Sequence, residues 1–586
     1  MSNDHQRAGL PHRVILTRRG MDSRPKESRG TPNYASNGAD AARSRRTGTM
    51  TGISRRQFLR AGAVGALGAA GLGRLVIDRR ATDRSHYTAI VIGSGYGGGV
   101  SALRLGQAGV DTLILERGRL WDTPDYDGKR FTRMLPPDTR AGWFSAVAPS
   151  LVPSFQGVSI EAVTRHVASP EPIQAGICEK TDFGAHSVFR GACVGGGSMI
   201  NAAIAAVPTP KQVREAFPDI NPAEFLGTYI ERAKTMLRIS YRDMSWFEQT
   251  PCLQFARVGR QYAAAAGYDV DYNGSAYSFD YLRREEAGEA PRSALNFEQQ
   301  YGNNYGRVGS VDQTYLAAAL ASGKVTLKSL TEVTDIRREP SGEWVVSTRE
   351  IDRWGKELRR DEIGCDHLYL AAGVLGTAKL LLRARETGAL PDLSEHIGRG
   401  YGNNGDVMVG HMLKDEDPAG TDQSLMGLIN IDGRDDPDNP VYASVFAIPL
   451  PVETHALGYY VMVKTADRAE ITYDRSVDTI DIDWPQHYTD HLIQRAGTVF
   501  DKITRANGVD YRNDLFDGNV FAPNTVHPMG GCVRGIATDL YGRVEHYDKL
   551  YVNDASLLPG YLGCNPFMSI TALAERNIEA ILQDRW

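Results

Sequence analysis

Tyr87-Thr88-Ala89-Ile90-Val91-Ile92-Gly93-Ser94-Gly95-Tyr96-Gly97-Gly98-Gly99 decides the fold of this 586-residue chain. The apolar run before Gly93 reads as a buried strand, and Val100-Ser101-Ala102-Leu103-Arg104-Leu105 continues as a helix. Between them Gly93, Gly95 and Gly98 supply G-x-G-x-x-G. Such glycines permit a tight turn and let backbone N–H groups approach a pyrophosphate, whose charge a helix N-terminus favours. A second strand, Val110-Asp111-Thr112-Leu113-Ile114-Leu115, ends in Glu116, 23 residues after Gly93. A carboxylate at that place accepts hydrogen bonds from an adenosine ribose. Strand, glycine turn, helix and terminal acid in this order predict a Rossmann-like nucleotide domain.

Later passages return to the same domain. Phe189-Arg190-Gly191-Ala192-Cys193-Val194-Gly195-Gly196-Gly197-Ser198-Met199-Ile200-Asn201 is a second glycine-dense stretch, suited to close approach to a flat ring and its phosphates. Residues 324–336 and 343–348 alternate like strands of an antiparallel hairpin layer. His367-Leu368-Tyr369-Leu370-Ala371-Ala372-Gly373 reads as a strand rejoining the nucleotide sheet, and Lys549-Leu550-Tyr551-Val552-Asn553-Asp554 as another that ends in a polar turn. No internal repeat of 20–50 residues stands out.

Near the C-terminus, His527 sits in Val526-His527-Pro528-Met529-Gly530-Gly531-Cys532, and Asn565 follows in Gly563-Cys564-Asn565-Pro566-Phe567. An imidazole can take the hydroxyl proton of an alcohol near neutral pH, and a carboxamide can hold the same oxygen without adding charge. Beside a nucleotide cofactor the two read as an alcohol-oxidising pair.

At 42% hydrophobic and 23% charged, the composition is that of an ordinary globular protein. Residues 1–60 carry 13 Lys+Arg against 4 Asp+Glu, so the net charge of −5 hides a body of net −14. An acidic body argues against nucleic-acid binding. Residues 1–49, polar and rich in Ser, Gly, Asn and Arg, read as a disordered extension, with Met50 a second candidate start. Within residues 50–80, Ser54-Arg55-Arg56-Gln57-Phe58-Leu59-Arg60 and the Ala/Gly-rich stretch after it resemble a twin-arginine signal. Arg74 leaves that stretch too short for a membrane span, and export as a folded protein is the expectation. Six cysteines form no C-x-x-C pair, so they read as small apolar residues and no metal site is expected.

Taken together, residues 90–104, 191–201, 301–304, 368–376, 527–532 and 550–575 resemble, in order, the motifs of the glucose-methanol-choline (GMC) oxidoreductases. The nearest likeness is to the bacterial cholesterol oxidases with noncovalent FAD, and it spans roughly residues 87–586. The resemblance implies an α/β fold, α+β overall. A Rossmann-like FAD-binding domain is assembled from segments 87–120, 186–229, 321–404 and 501–586. A substrate-binding domain with a mainly antiparallel sheet comes from 121–185, 230–320 and 405–500. It also implies roles. Gly93, Gly95, Gly98 and Glu116 would hold the ADP half, with Tyr96 beside them, and Val333 would present backbone to the adenine. Gly195, Gly196, Ser198 and Asn201 would lie along the pyrophosphate and isoalloxazine, and Asp554 and Phe567 would close the flavin site. His527 and Asn565 would bind the substrate hydroxyl, while hydride leaves the carbinol carbon for flavin N5.

Two positions depart from the family. Members with covalent flavin carry His one place before the counterpart of Asn201; Ile200 stands here, so noncovalent FAD is expected. Cholesterol oxidases place a Glu after a Ser-Val-Phe-Ala stretch to move the steroid double bond. Here Ser444-Val445-Phe446-Ala447 runs directly into Ile448-Pro449-Leu450-Pro451, and Glu453 does not match, which leaves isomerisation and the steroid itself open. The expectation is therefore an exported monomeric oxidase or dehydrogenase of a secondary alcohol on a bulky apolar molecule. O2 or another acceptor takes the electrons, and the enzyme touches membranes transiently to collect substrate. A polyketide or terpenoid alcohol, or a non-redox lyase reaction, is the alternative.

Overall fold

The computed structural model of the protein describes residues 86–152, 154–155, 158–159, 172–424, 429–450, 452–516 and 518–584. The extension 1–49 and the twin-arginine segment 50–80 lie outside the described residues. Among the described residues no helix is long and apolar enough to cross a membrane.

The first strand, His86–Ile92, lies between Thr112–Leu115 and Glu357–Leu370, parallel to both. Ala89, Ile90 and Val91 are fully buried, as a strand covered on both faces requires. Ile90 and Val91 each contribute about 1.5–3 kcal/mol relative to exposure, and the single methyl of Ala89 less. Val325–Lys328 adds a parallel edge beside Thr112–Leu115, and Leu550–Val552 runs parallel to Leu368–Leu370. The 14-residue strand Glu357–Leu370 serves two neighbours: its end joins the parallel core, while its exposed start pairs antiparallel with Trp344–Ile351, which in turn pairs with Thr331–Arg338.

This corrects one expectation. Residues 324–336 are not a single strand of a hairpin layer: the chain breaks at Leu330, which takes a left-handed φ of 52°. The part before it joins the parallel sheet, and only the part after it belongs to the hairpin. Alternation alone cannot separate these cases, because both strands have one face on the core.

The helix Tyr96–Gln107 packs along the C-terminal helix Phe567–Gln583. Arg104 crosses between them as a fork, with Nε 2.7 Å and Nη2 2.6 Å from the two carboxylate oxygens of Glu575. Glu575 is fully buried and also accepts from Tyr315, so its charge is paired and hydrogen-bonded as burial demands.

A second sheet is antiparallel throughout, in the order Phe521–Ala522, Asp406–Met412, Ala456–Val463, Val441–Ala447, Asn430–Gly433, Asp269–Asp271. Every residue of Val441–Ala447 and Ala456–Val463 is buried, so both faces are covered. The helices Gln254–Ala265 and Gln486–Asn507 cover one face, on which His411 is ringed by Tyr459, Phe500 and Tyr511. Strand alternation then turns Asp406 and Met408 to the other face. On that side Val152, Met408, Phe446, Ile448, Ala456, Tyr460, Leu515 and Phe516 form an apolar cluster separate from the main core.

Candidate active site

The two glycine stretches meet. A side chain on Gly93 would strike the carbonyl of Ala371, and one on Gly97 the carbonyl of Asn553, so these glycines are required by packing. Gly98 is held the same way against Gly93, whereas a side chain on Gly95 would enter open space. Gly95 is therefore the fingerprint glycine that leaves room for a ligand. Ser94 joins the stretches: its hydroxyl donates to Glu116 Oε2 at 2.7 Å and accepts from the Gly195 N–H at 3.1 Å. Gly195 (φ 95°) and Gly196 (φ 55°) turn the second stretch onto Gly95.

Glu116 does more than was expected of it. Its carboxylate already accepts from Ser94 N and Oγ and from Gly118 N at 2.7 Å. A carboxylate offers about four acceptor positions, which leaves one for a ribose hydroxyl. Val333 sits half-buried at an irregularity in its strand's pairing, opposite Thr348. Asp554 is fully engaged: it accepts from Gly373 N (2.9 Å), Thr377 Oγ1 (2.6 Å), Ser556 N (2.8 Å) and Ser556 Oγ (2.5 Å). Burial nonetheless raises its pKa above the usual carboxylate value. Its place is that of a strut between the strand end and the helix starting at Gly373.

Ser198 donates to Gly195 O at 2.7 Å and accepts from Val311 N at 2.9 Å. Asn201 donates to the Tyr96 hydroxyl at 2.7 Å, and Tyr96 stacks on Phe567 at 5.2 Å, so predicted residues from three segments converge. The sequence reading missed Arg307. Its buried guanidinium reaches Ser198 O (2.8 Å), Asn201 Oδ1 (3.0 Å), Asn201 O and Asn303 Oδ1 (3.1 Å). The one available signal was Asn303, in the matched stretch just before it.

His527 and Asn565 are both buried, with Asn565 Nδ2 3.4 Å from His527 Nε2. Behind them stands Asp406, also missed from sequence. Its carboxylate lies 3.0 Å from His527 Nδ1 and accepts from Tyr460 at 3.0 Å and Thr525 at 2.6 Å. Burial and then the nearby Asp406 raise the pKa of Tyr460 well above its usual value, which keeps it a donor. A carboxylate at Nδ1 places the imidazole proton there, which leaves the Nε2 lone pair facing Asn565. Asn430 orients the amide: its Nδ2 lies 3.4 Å from Asn565 Oδ1 and 2.8 Å from Ser444 Oγ, while its own oxygen accepts from Asn273 at 2.8 Å. An acceptor and a donor thus converge where an alcohol oxygen needs both. Asn565 also lies two residues before Phe567, which ties this pair to the glycine cradle.

Glu453 makes no hydrogen bond to any of these residues. Its carboxylate accepts from the backbone of Ala419 (3.1 Å), Gly420 (2.5 Å) and His455 (2.7 Å), so it staples two loops. All six cysteines are free and buried; burial pushes the Cys193 and Cys532 thiols well up and Cys564 to about 12. No cluster of metal-ligating side chains occurs among the described residues.

Residues 404–517, from beside Asp406 through most of the antiparallel sheet and its long helix, match the family model for "GMC oxidoreductase, C-terminal". Over that segment the chain carries a GMC oxidoreductase C-terminal domain, and as a whole it resembles that family. It is 23% identical to a cholesterol oxidase of Acinetobacter baumannii over 565 residues, covering 84% of this chain and 94% of that one. A cholesterol oxidase of Mycobacterium tuberculosis is 25% identical over 568 residues, with 84% and 90% covered. Among solved structures, the pyridoxine 4-oxidase from Mesorbium loti superposes with a TM-score of 0.57 at 15% identity, over 85% of this chain and 99% of that one. The GMC oxidoreductases are flavoproteins, generally FAD-dependent, and the family implies action on CH–OH donors. The cradle fits such a group: the space beside Gly95, the remaining acceptor position on Glu116 and the stacked Tyr96–Phe567 pair suit phosphate, ribose and ring in turn.

Proposed function

We propose that the protein oxidises a secondary alcohol on a bulky, largely apolar, sterol-like molecule to a ketone. The observation that carries this reading is the line Asp406–His527–Asn565, a fixed acceptor and a fixed donor aimed at one oxygen. FAD, bound without a covalent link, supplies the hydride acceptor. The protein's own part is to bind and orient. Asn565 holds the hydroxyl oxygen through its Nδ2, and His527 Nε2 receives the hydroxyl proton. Asp406 stabilises the imidazolium that results, and the apolar cluster around Met408 and Phe446 excludes water from it. O2 is the proposed final acceptor, giving H2O2. Export by the twin-arginine route is proposed from Arg55 and Arg56.

The deciding experiment is anaerobic mixing of the FAD-loaded protein with Δ5-3β-hydroxysteroids and with terpenoid alcohols. Bleaching of the flavin by a secondary alcohol, with the matching ketone recovered, is the expected result. An unbleached flavin beside non-oxidative cleavage of a carbonyl adduct would replace this reading with a lyase.

A further inference from the structure

His527 and Asn565 lie on separate segments of the chain, and the turn at residues 402–406 is bonded to both. On one side Gly402 exchanges two backbone hydrogen bonds of 3.0 Å with Met529, two residues past His527, while Asp406 reaches the imidazole itself. On the other side Asn404 N donates to Gly560 O at 3.2 Å. The fit there is close, since a side chain on Gly402 would strike the carbonyl of Gly560.

Asn404 is the residue of this turn whose side chain takes hold of the loop that leads to Asn565. It is fully buried, and its Oδ1 accepts from Leu562 N at 3.0 Å and Gly563 N at 3.1 Å while its Nδ2 donates to Cys564 O at 3.0 Å. One amide thus grips three consecutive residues, and Asn565 is the next. The backbone at Asn404 is left-handed, with φ 60°. Glycine takes that conformation freely and an asparagine does so at a cost, which the three side-chain bonds offset. The turn is also stiff: Asn403 Oδ1 accepts from Gly405 N at 3.0 Å, and Asp406 N donates to Asn403 O at 3.1 Å. The separation of acceptor and donor is therefore set where Asn404 meets the loop.

We propose that Asn404 is a positioning residue for the reaction: it fixes Asn565 Nδ2 opposite His527 Nε2, so that one turn holds both the proton acceptor and the donor to the hydroxyl oxygen. The inference rests on the alcohol-oxidation reading and deepens it. Asn430 selects which end of the Asn565 amide faces His527, and Asn404 sets where that amide stands.

The test is a double-mutant cycle on the FAD-loaded full chain, with the limiting rate of anaerobic flavin reduction by androst-5-en-3β-ol measured for the native protein, Asn404→Gly, Asn565→Leu and the two combined. Asn404→Gly suits the left-handed backbone and removes all three bonds. It is expected to slow the native protein at least about tenfold, because a displaced donor loses its alignment with the reacting oxygen. In the Asn565→Leu background the same substitution should change the rate by less than about twofold, since no donor is left to misplace. A side chain that only stabilises the fold would slow both backgrounds by one factor; that result, or a near-native rate in Asn404→Gly, overturns the proposal. If Asn404→Gly does not fold, Asn404→Asp keeps the acceptor for Leu562 and Gly563, loses the donor to Cys564, and should cost at least about threefold in the same comparison. Failure of both variants to fold overturns the proposal. Crystal structures of the native protein and the variant give a readout free of turnover: Asn565 Nδ2 is expected to shift from His527 Nε2 by more than about 0.5 Å, and an unmoved amide overturns the proposal. A native protein whose flavin no alcohol reduces would remove the oxidation reading alone, and the crystal comparison would then decide the role of Asn404.

Discussion

Nδ1 of His527 lies 3.0 Å from Oδ1 of Asp406, a residue 121 positions earlier in the chain. Asp406 opens the strand Asp406–Met412 of the antiparallel sheet while His527 precedes the last strand of the nucleotide sheet, so the pair exists only when the two layers are assembled. Its consequence is chemical: the carboxylate decides which imidazole nitrogen is free to accept a proton.

His527→Ala is expected to slow anaerobic flavin reduction by about 10²–10⁴-fold while FAD stays bound. Asp406→Asn should approach the same loss, at least about 10²-fold, because an amide can donate to Nδ1 and so place the proton on the wrong nitrogen. Asn565→Leu removes the donor to the alcohol oxygen and should hurt comparably. Stopped-flow reduction with equal flavin content decides; a near-native rate in Asp406→Asn would reduce that residue to packing.

Two glycines of one motif should respond differently. Gly97→Ala drives a methyl into the carbonyl of Asn553 and should destabilise the protein by about 1–3 kcal/mol or more, since backbone cannot yield as a side chain can. Gly95→Ala meets nothing in the protein and should leave apo stability within about 1 kcal/mol, while FAD affinity falls at least about tenfold. Thermal unfolding without FAD, followed by flavin titration, separates the two effects. Retained FAD affinity in Gly95→Ala would move the phosphates away from this turn.

Much of the nucleotide layer was legible because its signals are local. A strand, a glycine turn and a helix follow one another within twenty residues around Gly93, and each return strand carries its own apolar run. The hairpin layer was misread at Leu330, since an alternating stretch looks the same beside a parallel or an antiparallel neighbour. Asp406 and Arg307 were not legible. Each acts through groups distant in sequence, Asp406 on His527 and Arg307 on Ser198 and Asn201, and no spacing rule announces a pairing across a hundred residues. Glu116 was placed correctly at its strand end, but its bonds to Ser94 and Gly118 belong to turn geometry that a motif does not display.

FAD is expected to leave the protein completely on acid precipitation, with no yellow colour in the pellet. Ile200 offers no attachment atom at the position where a His would be needed. The buried thiols of Cys193, Cys532 and Cys564 have pKa values pushed up by burial and so stay unreactive near neutral pH. Flavin retained on denatured protein would reverse this expectation.

Glu453 decides a question the sequence left open. A Δ5-3β-hydroxysteroid, once oxidised, becomes the conjugated Δ4-3-ketone only if a base moves a proton from C4 to C6 over the ring face. Glu453 is the acid nearest to the segment where such a base would be sought, but its oxygens are taken by three backbone N–H groups. Moving it into the active site would leave those donors unpaired, each costing about 1–3 kcal/mol if they stay buried. His527 is committed to the C3 oxygen, and Asp406 to His527, Tyr460 and Thr525. The expected product is therefore the Δ5-3-ketone, with conjugated enone appearing only at the uncatalysed rate, followed by its strong near-ultraviolet absorbance. Glu453→Gln should lower thermal stability, because an amide oxygen and a donor –NH2 replace two acceptors, yet leave the product ratio unchanged. Enzyme-paced enone formation that Glu453→Gln abolishes would mean that the loop staple opens during turnover and that this carboxylate is the isomerisation base.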